Sequence, residues 1–201
     1  DVHCYGPSGV GKTACARYSV QQLRREMLDV RVQYVNCWQH HSKFAALYQL
    51  VDGVGRTYDI QQGTTAHDEL LRRVREADQH HYVVVLDEVD QLDTPDLLYD
   101  LHAMGHVSLV LVANREADVF DPLDDRLVSR LRVGQRVTFE RYAVDALVDI
   151  LEARAEVALE PWSVGEGVLE HIADRAAGDA RVAIQTLREA AELATVGEAS
   201  S

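Results

Sequence analysis

The sequence predicts an α/β fold: a parallel sheet whose strands alternate with helices, followed by a small all-α domain. Three observations predict it. A glycine-rich stretch, GPSGVGKT at residues 6–13, stands between a short apolar segment and a segment of helical periodicity. The continuous apolar run Tyr82-Val-Val-Val-Leu86, and Val107 to Ala113 after it, read as strands covered on both faces of a parallel sheet. From Tyr142 onward helical spacing takes over and no strand pattern recurs.

Asp1 to Tyr5 is short and apolar enough for a buried first strand. After the glycine-rich stretch, Ala16, Val20, Leu23 and Met27 recur on one helical face. Arg31 to Asn36 has the β-branched, alternating character of a second strand. Phe44, Leu47, Val51 and Val54 mark a helix from Lys43 to Val54, and Gly55 to Thr64 reads as a loop. Thr65 is placed to cap a helix reaching about Ala77, with Leu70, Leu71 and Val74 inward. The apolar strand at Tyr82 ends in Asp87-Glu88. Thr94-Pro95 reads as a cap followed by proline at the first helical position, ahead of Leu97, Leu98 and Leu101. The strand from Val107 closes on Asn114-Arg115. A helix around Leu123 to Leu131 and a strand near Arg136 to Phe139 complete five strands. Beyond residue 140, three helical stripes follow: Val144, Leu147 and Leu151; Val164, Val168 and Ile172; Ile184, Leu187 and Ala191. Glu160-Pro161 and Gly178-Asp179 separate them.

GPSGVGKT satisfies the phosphate-loop pattern G-x-x-x-x-G-K-[ST] at every constrained position. Glycines let successive N–H groups of Gly6, Pro7, Ser8, Gly9, Val10 and Gly11, proline excepted, curl toward one cavity, and the following helix adds its positive end. Lys12 would reach the β- and γ-phosphates, and the Thr13 hydroxyl would take one position on Mg²⁺. The plainer reading, a turn that binds nothing, fits the strand-before, helix-after context less well. An apolar strand ending in two carboxylates supplies the other half of a nucleotide-hydrolysing site: Asp87 to hold Mg²⁺, directly or through a water, and Glu88 to orient and polarise the attacking water. Alone, such a pair is more often an exposed turn; after a phosphate loop it gains meaning. Asn114 carries both a donor and an acceptor to the end of the next strand, where a turn residue is the competing reading. Arg126 and Arg130 lie four apart on one helical face, either as an arginine finger toward a neighbouring subunit or as a solvated face paired with Asp124 and Asp125. Arg181 opens the last helix, from which it could reach phosphate. His40-His41 and His80-His81 are adjacent pairs without metal-ligand spacing.

The 201 residues are 47% hydrophobic, enough for one good core and a smaller second one. No run of about 18 apolar residues occurs and no charged-then-apolar leader opens the chain, so a cytoplasmic protein with no membrane contact is expected. Three cysteines, Cys4, Cys15 and Cys37, without C-x-x-C spacing, are expected as buried reduced thiols. The formal charge is -13, with 33 acidic residues against 18 Arg and 2 Lys. A dense acidic surface poor in lysine is expected of a protein kept soluble in a high-salt cytoplasm, where self-repulsion is screened. It argues against nonspecific nucleic-acid binding by these residues.

Taken in order, GPSGVGKT, VVVLDEVD, LVANR, the SRL of Ser129 to Leu131 and GDARVAIQTLREA resemble the motifs of the AAA+ ATPases. YVNC at Tyr34 to Cys37, DEVDQL at Asp87 to Leu92, LDDRLVSRL, FERY at Phe139 to Tyr142 and GDARVAIQTLREA are similar to the archaeal origin-recognition and cell-division-cycle type DNA replication initiators, of halophilic character here. The resemblance implies a P-loop NTPase sheet in the order 5-1-4-3-2 over residues 1–140 and a helical lid over residues 141–201. It implies Walker A at Gly6, Gly11, Lys12 and Thr13, Walker B at Asp87 and Glu88, sensor 1 at Asn114, sensor 2 at Arg181, and the finger at Arg130, with Arg126 as second choice. ATP or ADP with Mg²⁺ would be the cofactors, in an ATP-on, ADP-off switch with slow hydrolysis. Origin DNA would be met through local elements or elements outside these residues, and a replicative helicase would be the recruited partner. Family members also carry an N-terminal segment around the adenine and a C-terminal winged helix, both expected to be missing here. Phosphates should therefore be held better than bases are discriminated. Two other functions stay open: a non-catalytic regulatory paralogue that binds ATP or ADP and partners a full-length initiator, and a clamp-loader or transposition-type AAA+ helper.

Overall fold

The computed structural model describes residues 1–58, 60, 65–77 and 80–198. The chain divides into two compact units. One comprises Asp1–Tyr5 with Lys12–Thr138, the other Gly6–Gly11 with Phe139–Ser201.

The first unit is built on five parallel strands: β1 (Val2–Tyr5), β2 (Val30–Asn36), β3 (His81–Asp87), β4 (Val107–Ala113) and β5 (Gln135–Thr138). Their order is β2-β3-β4-β1-β5, the 5-1-4-3-2 sheet that the family resemblance implies. Burial follows position. β3 has two neighbours and is buried from Tyr82 to Asp87, which is why its sequence is a continuous apolar run. β2 and β5 are edges, and both keep most residues half-exposed or exposed. Register sets the site. Tyr5 lies opposite Ala113, and Asp87 lies opposite both Asn36 and Val112. The residues that follow β1, β3 and β4 therefore leave the sheet along one edge, the carboxyl end of the strands, where open α/β sheets bind ligands.

Helices α1 (Lys12–Glu26), α2 (Lys43–Gly53), α3 (His67–Arg75), α4 (Asp96–His102), α5 (Glu116–Phe120) and α6 (Asp125–Leu131) complete this unit. Leu47, Leu50, Leu70, Leu86, Leu97, Leu101, Leu109, Leu111 and Leu131 are fully buried in one core. Truncating any of them to alanine costs about 2–5 kcal/mol. Tyr82 joins this core by donating its hydroxyl to Leu50 O at 2.8 Å.

Several local expectations differ from the structure. Met27 lies just past α1 and is exposed, and Cys15, expected buried like Cys4 and Cys37, is exposed because it falls on the outer face of α1 beside the buried Ala16. The cap of α3 is Ala66 and has no side-chain bond, so Thr65 stands one residue too early. Pro95 is the N-cap of α4 and Asp96 its first residue, one position later than expected, although Thr94 O still accepts from Leu97 N. α6 starts at Asp125, because Asp124 caps it by accepting from Leu127 N at 2.7 Å. α5 has five residues and is too short to show a helical period. Of the loop expected over Gly55 to Thr64, residues 59 and 61–64 lie outside the described residues.

The second unit holds α7 (Val144–Ala158), α8 (Val168–Ala176) and α9 (Ala180–Glu198), which pack pairwise. Leu147, Leu151, Leu169, Ile172, Ala173, Ala176, Ala183 and Leu187 form its core. Val144 and Val168, expected inward, are exposed: each is the first residue of its helix. Val164 precedes α8 and is partly buried. Ala177 and Gly178 turn the chain into α9 with φ of 50° and 84°. At Gly178 a Cβ would lie 2.6 Å from Arg141 Cβ and 2.9 Å from Tyr142 O.

Candidate functional site

The phosphate-loop residues Gly6–Gly11 connect β1 to α1. Gly6, Gly9 and Gly11 have φ of 154°, 79° and 86°, values that side chains other than glycine rarely adopt. Gly9 O accepts from Ala180 N at 3.0 Å, and the carboxylate of Asp179 occupies the place where a Gly9 Cβ would go. Asp179 Oδ1 in turn accepts from Arg181 N at 2.9 Å and Val182 N at 3.1 Å, which caps α9 at its otherwise unsatisfied amides. The loop main chain and the start of α9 are thus fastened together inside the second unit. Arg181 is exposed on the first turn of α9, Ser8 is exposed, and Pro7 is half-buried.

Lys12 and Thr13 open α1 in the first unit. Lys12 is 9% exposed and Asp87 4% exposed, and charges this buried require partners. Lys12 Nζ donates to Asn114 Oδ1 at 3.2 Å. Thr13 Oγ1 donates to Asp87 Oδ2 at 2.8 Å. The same Oδ2 accepts from the Tyr34 hydroxyl at 2.5 Å, and Asp87 Oδ1 accepts from Glu88 N at 3.1 Å. The structure thus brings together four residues singled out in the sequence, Lys12 with Asn114 and Thr13 with Asp87.

Glu88 stands next in the chain, exposed, with φ 55° and ψ 45°. Left-handed backbone at a glutamate costs about 1–2 kcal/mol, and such strain gathers at functional positions. It ends β3 abruptly and turns the second carboxylate away from the sheet into solvent. Arg126 and Arg130 are exposed on α6. Among the described residues neither forms an ion pair with Asp124 or Asp125; Asp124 is occupied as the helix cap, and the Arg130 guanidinium lies 5.8 Å from the Tyr99 ring centroid.

Tyr34 escaped the reading of residue types. It lies two residues before Asn36, whose register partner is Asp87. Alternation therefore puts residues 34 and 36 on one face of β2, but only the strand order makes β2 the neighbour of Asp87. Burial, then the hydrogen bond to Asp87, raises the Tyr34 hydroxyl above the ordinary phenol range, with Arg17 acting the other way. The hydroxyl therefore stays protonated and donates. The Arg17 guanidinium sits 3.9 Å above the Tyr34 ring centroid, a cation–π geometry. Cys37, whose N–H donates to Asp87 O at 2.8 Å, has its thiol pushed well up by burial first and then by the Asp87 charge. It is a protonated, inert thiol. Asp179 was the second residue missed, though an Asp directly before a helical run is an N-cap signal.

The donor set suits Mg²⁺. Thr13 Oγ1 and the Asp87 carboxylate, joined by the hydrogen bond to Oδ2, are hard oxygen donors, with Oδ1 carrying the lesser load of hydrogen bonds, and Mg²⁺ takes few protein oxygens and keeps water and phosphate oxygens for its remaining positions. Lys12 beside them suits polyphosphate charge.

Comparison with known proteins places the chain in a family. Residues 2–119 match the family model for the AAA domain, and residues 148–201 match that for the Cdc6 AAA+ ATPase-type lid domain. The chain is 48% identical to ORC1-type DNA replication protein 1 of Halobacterium salinarum, over 94% of its own length and 62% of the relative's. It is 46% identical to ORC1-type DNA replication protein 9 of the same organism, over 94% and 53%. The chain therefore spans a little over half to about three fifths of these relatives. Among solved structures, the Aeropyrum pernix ORC1 protein in complex with DNA superposes with a TM-score of 0.84 at 31% identity, over 97% of this chain and 54% of that one. The acidic, lysine-poor composition accords with relatives from a halophile. The AAA model covers more than half of the chain, and lid, relatives and fold agree with it: the chain belongs to the AAA+ ATPases, in their archaeal ORC1/Cdc6-type initiator branch.

Proposed function

We propose that this chain is the ATP-binding and ATP-hydrolysing core of a DNA replication initiator, a switch that is on with ATP and off with ADP. The observation that carries the reading is the pair of contacts Lys12 to Asn114 and Thr13 to Asp87 at the carboxyl edge of the sheet. Lys12 and Asp87 are buried charges, while Thr13 is half-buried and Asn114 exposed, so two charges held inside the fold stand beside a side chain that solvent, and hence a charged ligand, can reach.

In this reading the loop amides of Gly6 to Gly11 and the Lys12 ammonium bind the phosphates. Thr13 would offer a hydroxyl lone pair to Mg²⁺ while its O–H goes on donating to Asp87 Oδ2. Mg²⁺ held by Thr13 and Asp87 would supply charge neutralisation for the phosphates. Asn114 leaves Lys12 and turns its amide toward the γ-phosphate and the attacking water. Glu88 orients and polarises that water. Arg181 on α9 is the second sensor of the phosphates, and Arg130, or Arg126 beside it, serves a neighbouring AAA+ subunit as the finger. Origin DNA and a replicative helicase are the partners of the complete protein, as the DNA-bound ORC1 relative encourages.

The test is Mg²⁺-dependent ATP binding in molar KCl by wild type and Lys12→Ala. Removing a buried charged donor to phosphate is expected to weaken binding by about 100-fold; equal affinity in the two proteins would sink the proposal.

A further inference from the structure

Asp87 is a buried carboxylate held by donors from three different places. Oδ2 accepts from Thr13 on α1 and from Tyr34 on β2, while Oδ1 accepts from the N–H of Glu88. A carboxylate offers roughly four lone-pair sites, so Oδ2 is filled and Oδ1 keeps one site. These donors do not contribute equally. The Glu88 amide is the next residue in the chain and moves with Asp87. Thr13 is the hydroxyl whose oxygen the proposed Mg²⁺ site needs. Tyr34 alone fixes the carboxylate from a separate strand with a rigid side chain. The Arg17 guanidinium lies 3.9 Å over its ring centroid, and Arg17 is four residues after Thr13, hence on the same face of α1. Tyr34 is thus clamped to the helix that carries Lys12 and Thr13, and it clamps the strand end that carries Asp87.

We propose that Tyr34 is a positioning residue of the nucleotide site, holding the Asp87 carboxylate in the orientation that Mg²⁺-dependent nucleotide binding requires. The proposal rests on the nucleotide-binding reading above. A hydroxyl that only satisfied a buried carboxylate would affect stability and nothing else. One that sets a metal ligand's orientation should change the metal-dependent part of binding, as partners of metal ligands do, typically by 10–100-fold in affinity.

The experiment compares a fluorescent ATP analogue bound by wild type, Tyr34→Phe and Arg17→Leu in molar KCl, each with Mg²⁺ and with excess EDTA. Tyr34→Phe keeps the ring and removes only the hydroxyl. The gain in affinity on adding Mg²⁺ is expected to shrink about 10-fold in Tyr34→Phe, with affinity in EDTA unchanged. Arg17→Leu, which leaves every Asp87 donor present but unpins the ring, is expected to lose part of the same gain. A Mg²⁺-dependent gain equal to wild type in Tyr34→Phe overturns the proposal, as does an equal loss with and without Mg²⁺. Absence of any binding by wild type overturns the nucleotide-binding reading itself, and this proposal with it.

Discussion

Replacing Gly9 with alanine is expected to destabilise the second unit by about 2–3 kcal/mol, from two separable costs. The first is conformational: Gly9 has φ of 79°, and left-handed backbone costs a residue with a Cβ about 1–2 kcal/mol. The second is steric. The new methyl group would occupy the position of the Asp179 carboxylate, so Asp179 must swing away from the amides of Arg181 and Val182 that it caps. Loss of an N-cap costs about 1 kcal/mol. Asp179→Ala removes the same cap and nothing of the backbone strain, so alone it should cost about 1 kcal/mol. In Gly9→Ala/Asp179→Ala the cap is lost only once. The double variant should therefore lose about 1 kcal/mol less than the sum of the single losses, which is the signature of two residues in contact. The measurement is urea unfolding of all four proteins in molar KCl, followed by far-ultraviolet circular dichroism. Strict additivity, or a Gly9→Ala cost below about 1 kcal/mol, would refute the reasoning.

Glu88→Gly should separate stability from activity. Glu88 is exposed in a left-handed conformation, so glycine there relieves about 1 kcal/mol of strain while ATP turnover falls to background; an unchanged turnover would remove Glu88 from the catalytic role. His3 should make stability pH-dependent. Burial lowers its pKa from the ordinary 6.5, so the folded protein holds it neutral. Above about pH 6.5 neither state binds the proton; as the pH falls below that, only the unfolded chain does, and stability drops by up to about 1.4 kcal/mol per pH unit until the folded-state pKa is reached. Among the described residues His3 Nε2 has no hydrogen-bond partner. His3→Leu is therefore expected to flatten this slope, measured by urea midpoints from pH 8 to pH 5, with little loss at pH 8; an undiminished slope would place the titration elsewhere.

What the sequence discloses about this site follows the range of the interaction that fixes it. β3 and β4 are legible because a strand with neighbours on both sides and layers on both faces must be apolar throughout, and a short run of that composition suits few other places in a fold. The loop Gly6 to Thr13 is legible because its chemistry is contiguous: glycines, lysine and hydroxyl stand within eight residues. Errors gather where a helix end is set by one hydrogen bond. Thr65 and Ala66 differ by a single position, and the backbone places Ala66 at the cap although its side chain offers no oxygen. Val144 and Val168 fit the helical stripe, yet each opens its helix, where the first turn projects past the core.

The contacts that make the site a site span much longer distances. Thr13 and Asp87 are 74 residues apart, Tyr34 and Asp87 are 53 apart, and Lys12 and Asn114 are 102 apart. A parallel sheet alone implies that the residues after β1, β3 and β4 share one edge, so Lys12, Asp87 and Asn114 could be nominated together. Which oxygen of Asp87 each donor takes depends on register and strand order, and those depend on the whole core. Tyr34 shows the consequence. Its phenol is ordinary for a strand, and although it opens the YVNC stretch that carries the family resemblance, its residue type gives it no chemical role there. It acquires a role only because β2 pairs with β3 in the register that sets Asn36 beside Asp87. The order of the strands thus turns a residue of good β-propensity into the third support of a carboxylate, and mutating its hydroxyl tests the fold's contribution to the site separately from the motif's.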